Sequence, residues 1–192
     1  MRINVNGGHT RRAPGASGHL DELAEDRLVK DALIAELRSR GHEVSDSTTD
    51  EATQMDDLRE QCRLANASGA ELAISVHLNS GGGTGPECWA WAGNAETAEL
   101  SQRVADSVAA ALGLPSRGAK SNQSFYWLRH TDMPAVLVEC CFVDSERDAE
   151  AWRRVGPAAV ARAIADAIVG GAAQPAPEVP EAQPSPDAPE PA

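Results

Sequence analysis

Basic residues are scarce in this chain of 192 residues, which has 17 Lys and Arg against 29 Asp and Glu and a formal net charge of −12. Proteins that bind nucleic acid usually carry a basic patch, so this balance argues against a nucleic-acid partner. Long apolar runs are also lacking, and none reaches the ~18 residues that a membrane span needs. We therefore expect neither nucleic-acid binding nor membrane insertion.

The start of the chain lacks the features of a secretory leader. The opening "MRINVN" alternates like a strand, and it has neither a basic first region nor the apolar run that follows one. The sequence therefore predicts a protein that is made in the cytoplasm without a signal peptide.

Cysteine is sparse, and its spacing does not fit a metal or redox motif. The four cysteines are Cys62, Cys88, Cys140 and Cys141, and no two of them form a C-x-x-C pair. On a strand, the adjacent Cys140 and Cys141 would point to opposite faces, so a bridge between them is not expected. This usage predicts reduced, partly buried thiols in a reducing compartment.

The apolar content of 42% is enough for the core of one domain of ordinary size. Strand-like runs occur at residues 2–6, 41–46, 71–78, 86–92, 124–129 and 135–143. Helical patterns lie between several of them, at residues 20–41, 56–69, 95–115 and 157–171. This alternation predicts an α/β fold with a mostly parallel, mixed sheet of about six strands and helices on both faces.

Composition divides the chain into two parts. Residues 1–171 are predicted to form the folded domain. Residues 172–192 are rich in Pro, Ala and Glu, and such a composition predicts a disordered linker or tail because it cannot build a core. A linker with nothing after it predicts either a truncated chain or a missing second module.

One carboxylate is unusual for its setting, because Glu139 lies among apolar and small residues in "PAVLVECCFV". Burying a carboxylate is costly unless something offsets its charge. In open α/β sheets the functional site lies beyond the carboxyl ends of the strands. His9 follows the first strand in "NGGHT", and His77 ends the third in "SVHLNS". These three residues are therefore candidates for one site.

An acid at the start of the first long helix completes the candidate set. Glu22 would open that helix, although Asp21, Glu25 and Asp26 stand beside it and position alone does not choose among them. Two histidines and a carboxylate are a common ligand set of catalytic zinc sites, with water in the fourth position. A further carboxylate, Glu139, would take a proton from that water, and the cation would offset its charge.

Each of these residues also has an ordinary alternative. His9 would be a loop histidine, His77 a satisfied core histidine, and Glu22 an acid favoured by the helix dipole. The spacings are wide, and no compact H-E-x-x-H motif is present. Glu139 is the hardest residue to explain in this way, because its neighbours on both sides are apolar.

The order of "NGGHT", "GASGHLDE", "SVHLNS" and "MPAVLVE" resembles the zinc-dependent N-acetylmuramoyl-L-alanine amidases of the amidase-3 family, and most of all the catalytic domains of phage endolysins. The resemblance covers residues 1 to about 170. It implies one Zn²⁺ on His9, Glu22 and His77, with Glu139 as the catalytic residue. The choice of Glu22 follows from the family's spacing between this glutamate and the glycine that ends the helix, here Gly41.

The resemblance implies hydrolysis of the amide bond between N-acetylmuramic acid and L-alanine in bacterial peptidoglycan. Two alternatives stay open: a zinc peptidase of similar fold that cuts the peptide stem, and a non-catalytic wall-binding module. An endolysin would accumulate in the cytoplasm and reach the wall through holin-type export. The missing second module would then be a C-terminal wall-binding module.

Two positions depart from the family's pattern, and two more residues are candidates near the site. Asp26 stands where the family often has Asn, and Cys140 and Cys141 follow the catalytic residue where other small residues are expected. Neither departure removes a required group. Asn79 is predicted to orient His77 or the loop "SGGGTG", or else to contact substrate. His130, just before the last strand, is predicted as a further substrate contact.

Overall fold

A computed structural model describes residues 1–170, and these form a six-stranded sheet with helices on both faces. The strands are β1 (Arg2–Gly7), β2 (Glu43–Asp46), β3 (Leu72–Asn79), β4 (Glu87–Trp91), β5 (Ala119–Asn122) and β6 (Ala135–Phe142). Their order across the sheet is β2-β1-β3-β6-β4-β5. Within this sheet β4 pairs with β6 in antiparallel orientation, and the other neighbouring pairs are parallel. The predicted mixed, mostly parallel α/β sheet is confirmed.

The described chain has six helices, of which four precede β6 and two follow it. They are α1 (Glu22–Ser39), α2 (Gln54–Ala67), α3 (Ala95–Leu112), α4 (Tyr126–His130), α5 (Glu146–Val155) and α6 (Pro157–Val169). Side-chain caps begin four of them, because Asp21, Thr53, Asn94 and Ser145 each accept a hydrogen bond from a first-turn N–H. Helix α3 ends at Gly113 in the left-handed conformation, as the Gly–Leu–Pro stop predicts.

The two faces of the sheet carry different sets of helices. On one face, α1, α3, α5 and α6 pack over alternate strand residues such as Ile74 and Val136 in the larger core cluster. On the other face, α2 and α4 cover Ala73 and Leu137 in a smaller cluster. Because side chains alternate along a strand, His77 and Glu139 lie on this second, more thinly covered face.

Residues 124–129, predicted as a strand, are a turn followed by helix α4, so that prediction was wrong. The Asn122 side chain accepts hydrogen bonds from the N–H groups of Ser124 and Phe125, which ends β5 and turns the chain. Trp127 and Leu128 are then buried against the sheet from a short helix. The strand in this region is β5, at 119–122.

All four cysteines are free, and they are buried where partial burial was predicted. Among residues 1–170, no helix combines the length and apolar character needed to cross a membrane. The predicted linker at 172–192 lies outside the described residues.

Candidate metal centre

His9 lies in the loop after β1 and has an unusual backbone conformation. Its φ is 59°, which a residue with a Cβ adopts only at a cost in strain. Arg27 of α1 fixes the loop, since its guanidinium donates to the carbonyl oxygens of Gly7 at 2.6 Å and His9 at 2.7 Å. The neighbouring Gly8 has no room for a side chain, because a Cβ there would overlap the ring of His77.

Glu22 is the first residue of α1 and is almost fully buried. Its Oε1 lies 2.9 Å from His9 Nε2 and 3.3 Å from His77 Nδ1, and its Oε2 accepts the N–H of Ala16 at 2.8 Å. Burial alone would raise the pKa of Glu22. The hydrogen bonds and charges of His77 and His9 outweigh burial and lower the pKa to about 2. Glu22 is therefore ionised at neutral pH.

His77 ends the regular part of β3, where it pairs with Glu139 of β6. Beyond this pair the register of the two strands shifts before pairing resumes at Asn79 and Phe142, so an irregularity of the ladder lies next to both side chains. Burial lowers the pKa of His77 and so favours the neutral ring, although Glu22 opposes this shift. A neutral imidazole is the form that binds metals.

The ligand atoms of His9, Glu22 and His77 all lie within 4.8 Å of one another. The other acids at the start of α1 have different contacts. Asp21 caps the helix, and Glu25 accepts the indole N–H of Trp152 at 2.8 Å. Asp26 is fully buried and is not part of this cluster, and neither of its oxygens has a hydrogen-bond partner in the described chain.

Glu139 lies beside the cluster without a partner of its own. Its Oε2 is buried and makes no hydrogen bond to any of residues 1–170. Burial, followed by the negative charges of Glu22 and Glu87, raises its pKa to about 8. Such a carboxylate is costly unless a cation lies close to it. The site therefore combines two imidazoles, one ionised carboxylate and one carboxyl group whose ionised form needs a positive charge nearby.

This donor set fits a metal ion such as Zn²⁺. Two imidazoles and one carboxylate match the three protein ligands of catalytic zinc sites, which leave a fourth position open. Two glycines keep the space around the ligands free. A Cβ on Gly8 would overlap His77, and one on Gly15 would meet Glu22 and His9.

An open cavity of about 300 Å³ gives access to the cluster. It extends along the sheet between α2 and α4, with Leu58, Phe125 and Tyr126 among its walls, and His9, Glu22, His77 and Glu139 line it. Hydrolysis of a bound substrate needs water, a base and an activating charge in one accessible place. This cavity can bring them together.

The two predicted substrate contacts are placed differently. Asn79 lines the cavity, where its Nδ2 donates to Glu87 at 2.8 Å and its Oδ1 accepts the N–H of Ser80 at 2.8 Å. It thus fixes the start of the glycine-rich loop. His130 does not line this cavity; its exposed ring stacks on Tyr126 with centroids 4.1 Å apart. Its predicted role stays a prediction.

Two residues that hold the loops around the site were not predicted from the sequence. Arg27 gave no signal, since its partners are backbone carbonyls that only the fold brings near. Asp148 did leave one, because "SERD" places an acid three residues after Ser145, as in a capping box. Asp148 also accepts the N–H groups of Gly85 at 2.8 Å and Phe142 at 2.9 Å, and so anchors the glycine-rich loop to the end of β6.

Fold and site together define an α/β domain with a candidate mononuclear metal centre at the carboxyl ends of its central strands. The profile of the N-acetylmuramoyl-L-alanine amidase family (Amidase_3) matches residues 3–170. The chain belongs to this family, and the predicted resemblance is confirmed.

Relatives with similar sequence and structure agree with this assignment. An uncharacterized protein of Clostridium perfringens (strain 13 / Type A) is 37% identical over 88% of this chain and 51% of its own length. The sporulation-specific N-acetylmuramoyl-L-alanine amidase of Bacillus subtilis (strain 168) is 32% identical over 78% of this chain and 59% of its own length. The catalytic domain of the CD27L endolysin, which targets Clostridia Difficile, superposes with a TM-score of 0.83 at 24% identity, covering 89% of this chain and 98% of that domain.

The chain spans about half the length of the first curated relatives it matches. The structural match, at its low identity, supports the fold alone.

Proposed function

We propose that this chain is a zinc-dependent amidase that hydrolyses the bond between N-acetylmuramic acid and L-alanine in bacterial peptidoglycan. Family membership supports the reaction class. The observation that carries the proposal is the arrangement in the cavity: the unpaired Glu139 carboxylate lies beside the cluster of His9, Glu22 and His77.

Three residues of the site would bind the metal, and a fourth would transfer protons. His9, Glu22 and His77 would hold one Zn²⁺, which supplies a Lewis acid that acidifies the attacking water and polarises the scissile carbonyl. Glu139 accepts a proton from the water as it attacks, and then delivers a proton to the departing amine of alanine. The positive charge of a bound Zn²⁺ would lower the pKa of Glu139, which would keep the carboxylate ionised and able to act as a base.

The central test is Glu139→Gln, which keeps the size of the side chain and removes the base. We expect hydrolysis to fall by roughly 100- to 10,000-fold, the range for loss of a general base. Bound zinc, measured by atomic emission, should stay at one ion per chain. Glu99→Gln, an exposed change on α3, is the control and should leave both quantities unchanged. Loss of zinc from Glu139→Gln would make Glu139 a ligand and contradict its assigned role.

The bond that is cut is identified by mass spectrometry of digested walls. New L-alanine amino termini together with intact muramic acid would support the amidase. New termini within the stem would indicate a zinc peptidase. Wall binding by the zinc-loaded wild type without release of any amine would indicate a non-catalytic module.

We infer that residues 1–171 are the catalytic unit, since the family profile covers 3–170. Peptidoglycan as the substrate would make the cell wall the place of action. Holin-type export from the cytoplasm and a C-terminal wall-binding module stay predictions.

A further inference from the structure

Arg27 contacts the candidate metal site without being one of its ligands. It lies on α1, five residues after Glu22, and its side chain is about one-quarter exposed (24%). Its two terminal nitrogens donate to the carbonyl oxygens of Gly7 and His9, the residues on either side of Gly8. A guanidinium suits such a pair of acceptors because its donors form a rigid fork.

These two hydrogen bonds join two of the ligand-bearing segments, and the third lies against the residue between the two bonded carbonyls. Helix α1 carries Glu22, the bonded loop carries His9, and Gly8 between the two carbonyls lies against the ring of His77. Other contacts fix the N–H side of the same loop: Gly7 donates to Thr48 Oγ1 at 3.1 Å, and Gly8 donates to the carbonyl of Val76 at 3.0 Å. The loop is thus held from both sides.

The loop needs this support because His9 has a left-handed backbone. A non-glycine residue with φ of 59° costs free energy and persists only when surrounding contacts enforce it. Relaxation of φ toward ordinary negative values would turn the imidazole away from Glu22. The bond from Arg27 to the carbonyl of His9 opposes that relaxation.

The charge of Arg27 acts in the opposite direction. A guanidinium close to a divalent cation repels it, so charge alone would weaken metal binding. Geometry and electrostatics therefore predict opposite effects when Arg27 is replaced.

We propose that Arg27 is a positioning residue for the metal site, which sets the backbone of His9 through its paired hydrogen bonds. The inference rests on the proposed zinc site. Loss of such an outer contact typically weakens metal affinity by 10- to 100-fold. Lysine keeps the charge but offers a point donor without the fork, so it should restore the affinity only in part.

The test is zinc affinity of the purified chain, measured by competition with a chelating dye, for wild type, Arg27→Met and Arg27→Lys. We expect Arg27→Met to raise the zinc Kd by 10- to 100-fold and Arg27→Lys to give an intermediate value. The absorption spectrum of the Co²⁺-loaded protein should change in Arg27→Met, since it reports ligand geometry. Arg38→Met is the matched control. Arg38 lies on the same helix and also donates to a backbone carbonyl, that of Val44 at 2.7 Å, but Val44 is not part of the candidate metal site.

The possible results separate the inference from the function on which it rests. Tighter zinc binding by Arg27→Met would show that Arg27 acts on the site through its charge alone. Wild-type affinity in Arg27→Lys would show that the paired hydrogen bonds do not matter. Either result would overturn the inference and leave the proposed function intact. Should Arg27→Met fail to fold, Arg27→Lys decides by the same criterion. A wild type that binds no zinc would overturn the proposed function itself.

Discussion

Glycine at position 15 illustrates how single residues shape the site. Gly15 has φ of 77°, and a Cβ there would meet Glu22 and the ring of His9. Gly82 has almost the same φ, 78°, yet a Cβ on it would meet no atom within 4 Å. The two positions therefore share the cost of a left-handed backbone and differ in what a methyl group would displace.

Gly15→Ala should weaken zinc binding by roughly 10- to 100-fold, because the new methyl group pushes two ligands apart. Gly82→Ala is the control: it incurs the same backbone cost of about 1 kcal/mol and should keep the wild-type Kd within about twofold. A zinc titration against a chelating dye measures both. Equal loss of affinity in the two variants would mean that backbone strain, and not crowding of the ligands, is responsible.

At the scale of elements, Asp148 of α5 joins three segments of the chain. Its fully buried carboxylate accepts hydrogen bonds from Gly85 and Thr84 in the glycine-rich loop, from Phe142 at the end of β6, and from Ser145 at the start of its own helix. The loop next to the cavity is thus anchored to the sheet.

Asp148→Asn should lower the free energy of unfolding by about 3 kcal/mol, because the neutral amide loses the negative charge that strengthens the hydrogen bonds of this buried carboxylate. Urea unfolding measures this change. Asp144→Asn is a matched control: Asp144 also accepts two loop N–H groups, from Gly81 and Gly82, but it is exposed, so a loss below about 1 kcal/mol is expected. Similar losses in both variants would contradict the importance of burial.

Two helices were not predicted, one because its sequence is rich in aromatic residues and the other because it is rich in charged residues. The run 124–129 contains Phe, Tyr and Trp, which favour strands in general, whereas the Asn122 turn and burial of Trp127 place it in a helix. Helix α5 was missed because its ten residues are mostly charged, and only the Ser145 cap and the buried Trp152 mark it. Tertiary contacts decided both cases.

The candidate site was partly predictable because strand ends meet in parallel sheets. That rule identified His9, His77 and Glu139 from their positions alone. It could not choose Glu22 over Asp21, Glu25 and Asp26, since all four lie within two turns of one helix. The resemblance chose Glu22 by spacing, and the distances in the folded chain agree with that choice.

At the scale of the whole molecule, Asp26 affects stability through its protonation. Burial, aided by the charges of Glu22 and Asp21 and opposed by those of Arg27 and Lys30, raises its pKa to about 8. In the unfolded chain an aspartate has a pKa near ~3.9. Between these values the unfolded state loses its proton and the folded state keeps it, so Asp26 makes stability fall as the pH rises from 4 to 8.

Asp26→Asn should therefore stabilise the zinc-free protein, by little at pH 4 and by on the order of 3 kcal/mol at pH 8. Urea unfolding at several pH values, with a chelator present, measures the difference from wild type. Asp106→Asn, an exposed change on α3, should show no such trend. A stability gain from Asp26→Asn that is the same at pH 5 and pH 8 would contradict a raised pKa.

The pairing of His77 with Glu139 has a consequence for refolding. Both residues point to the same face only in the native register of β3 and β6, and a slip of one strand by one residue would turn one of them to the opposite face. A chain that collapses with these central strands misaligned would still be compact, but it would separate the proposed metal ligand from the proposed base. Recovered hydrolysis after dilution from denaturant therefore counts the molecules whose central strands have aligned correctly, which spectroscopic measures of secondary structure do not distinguish.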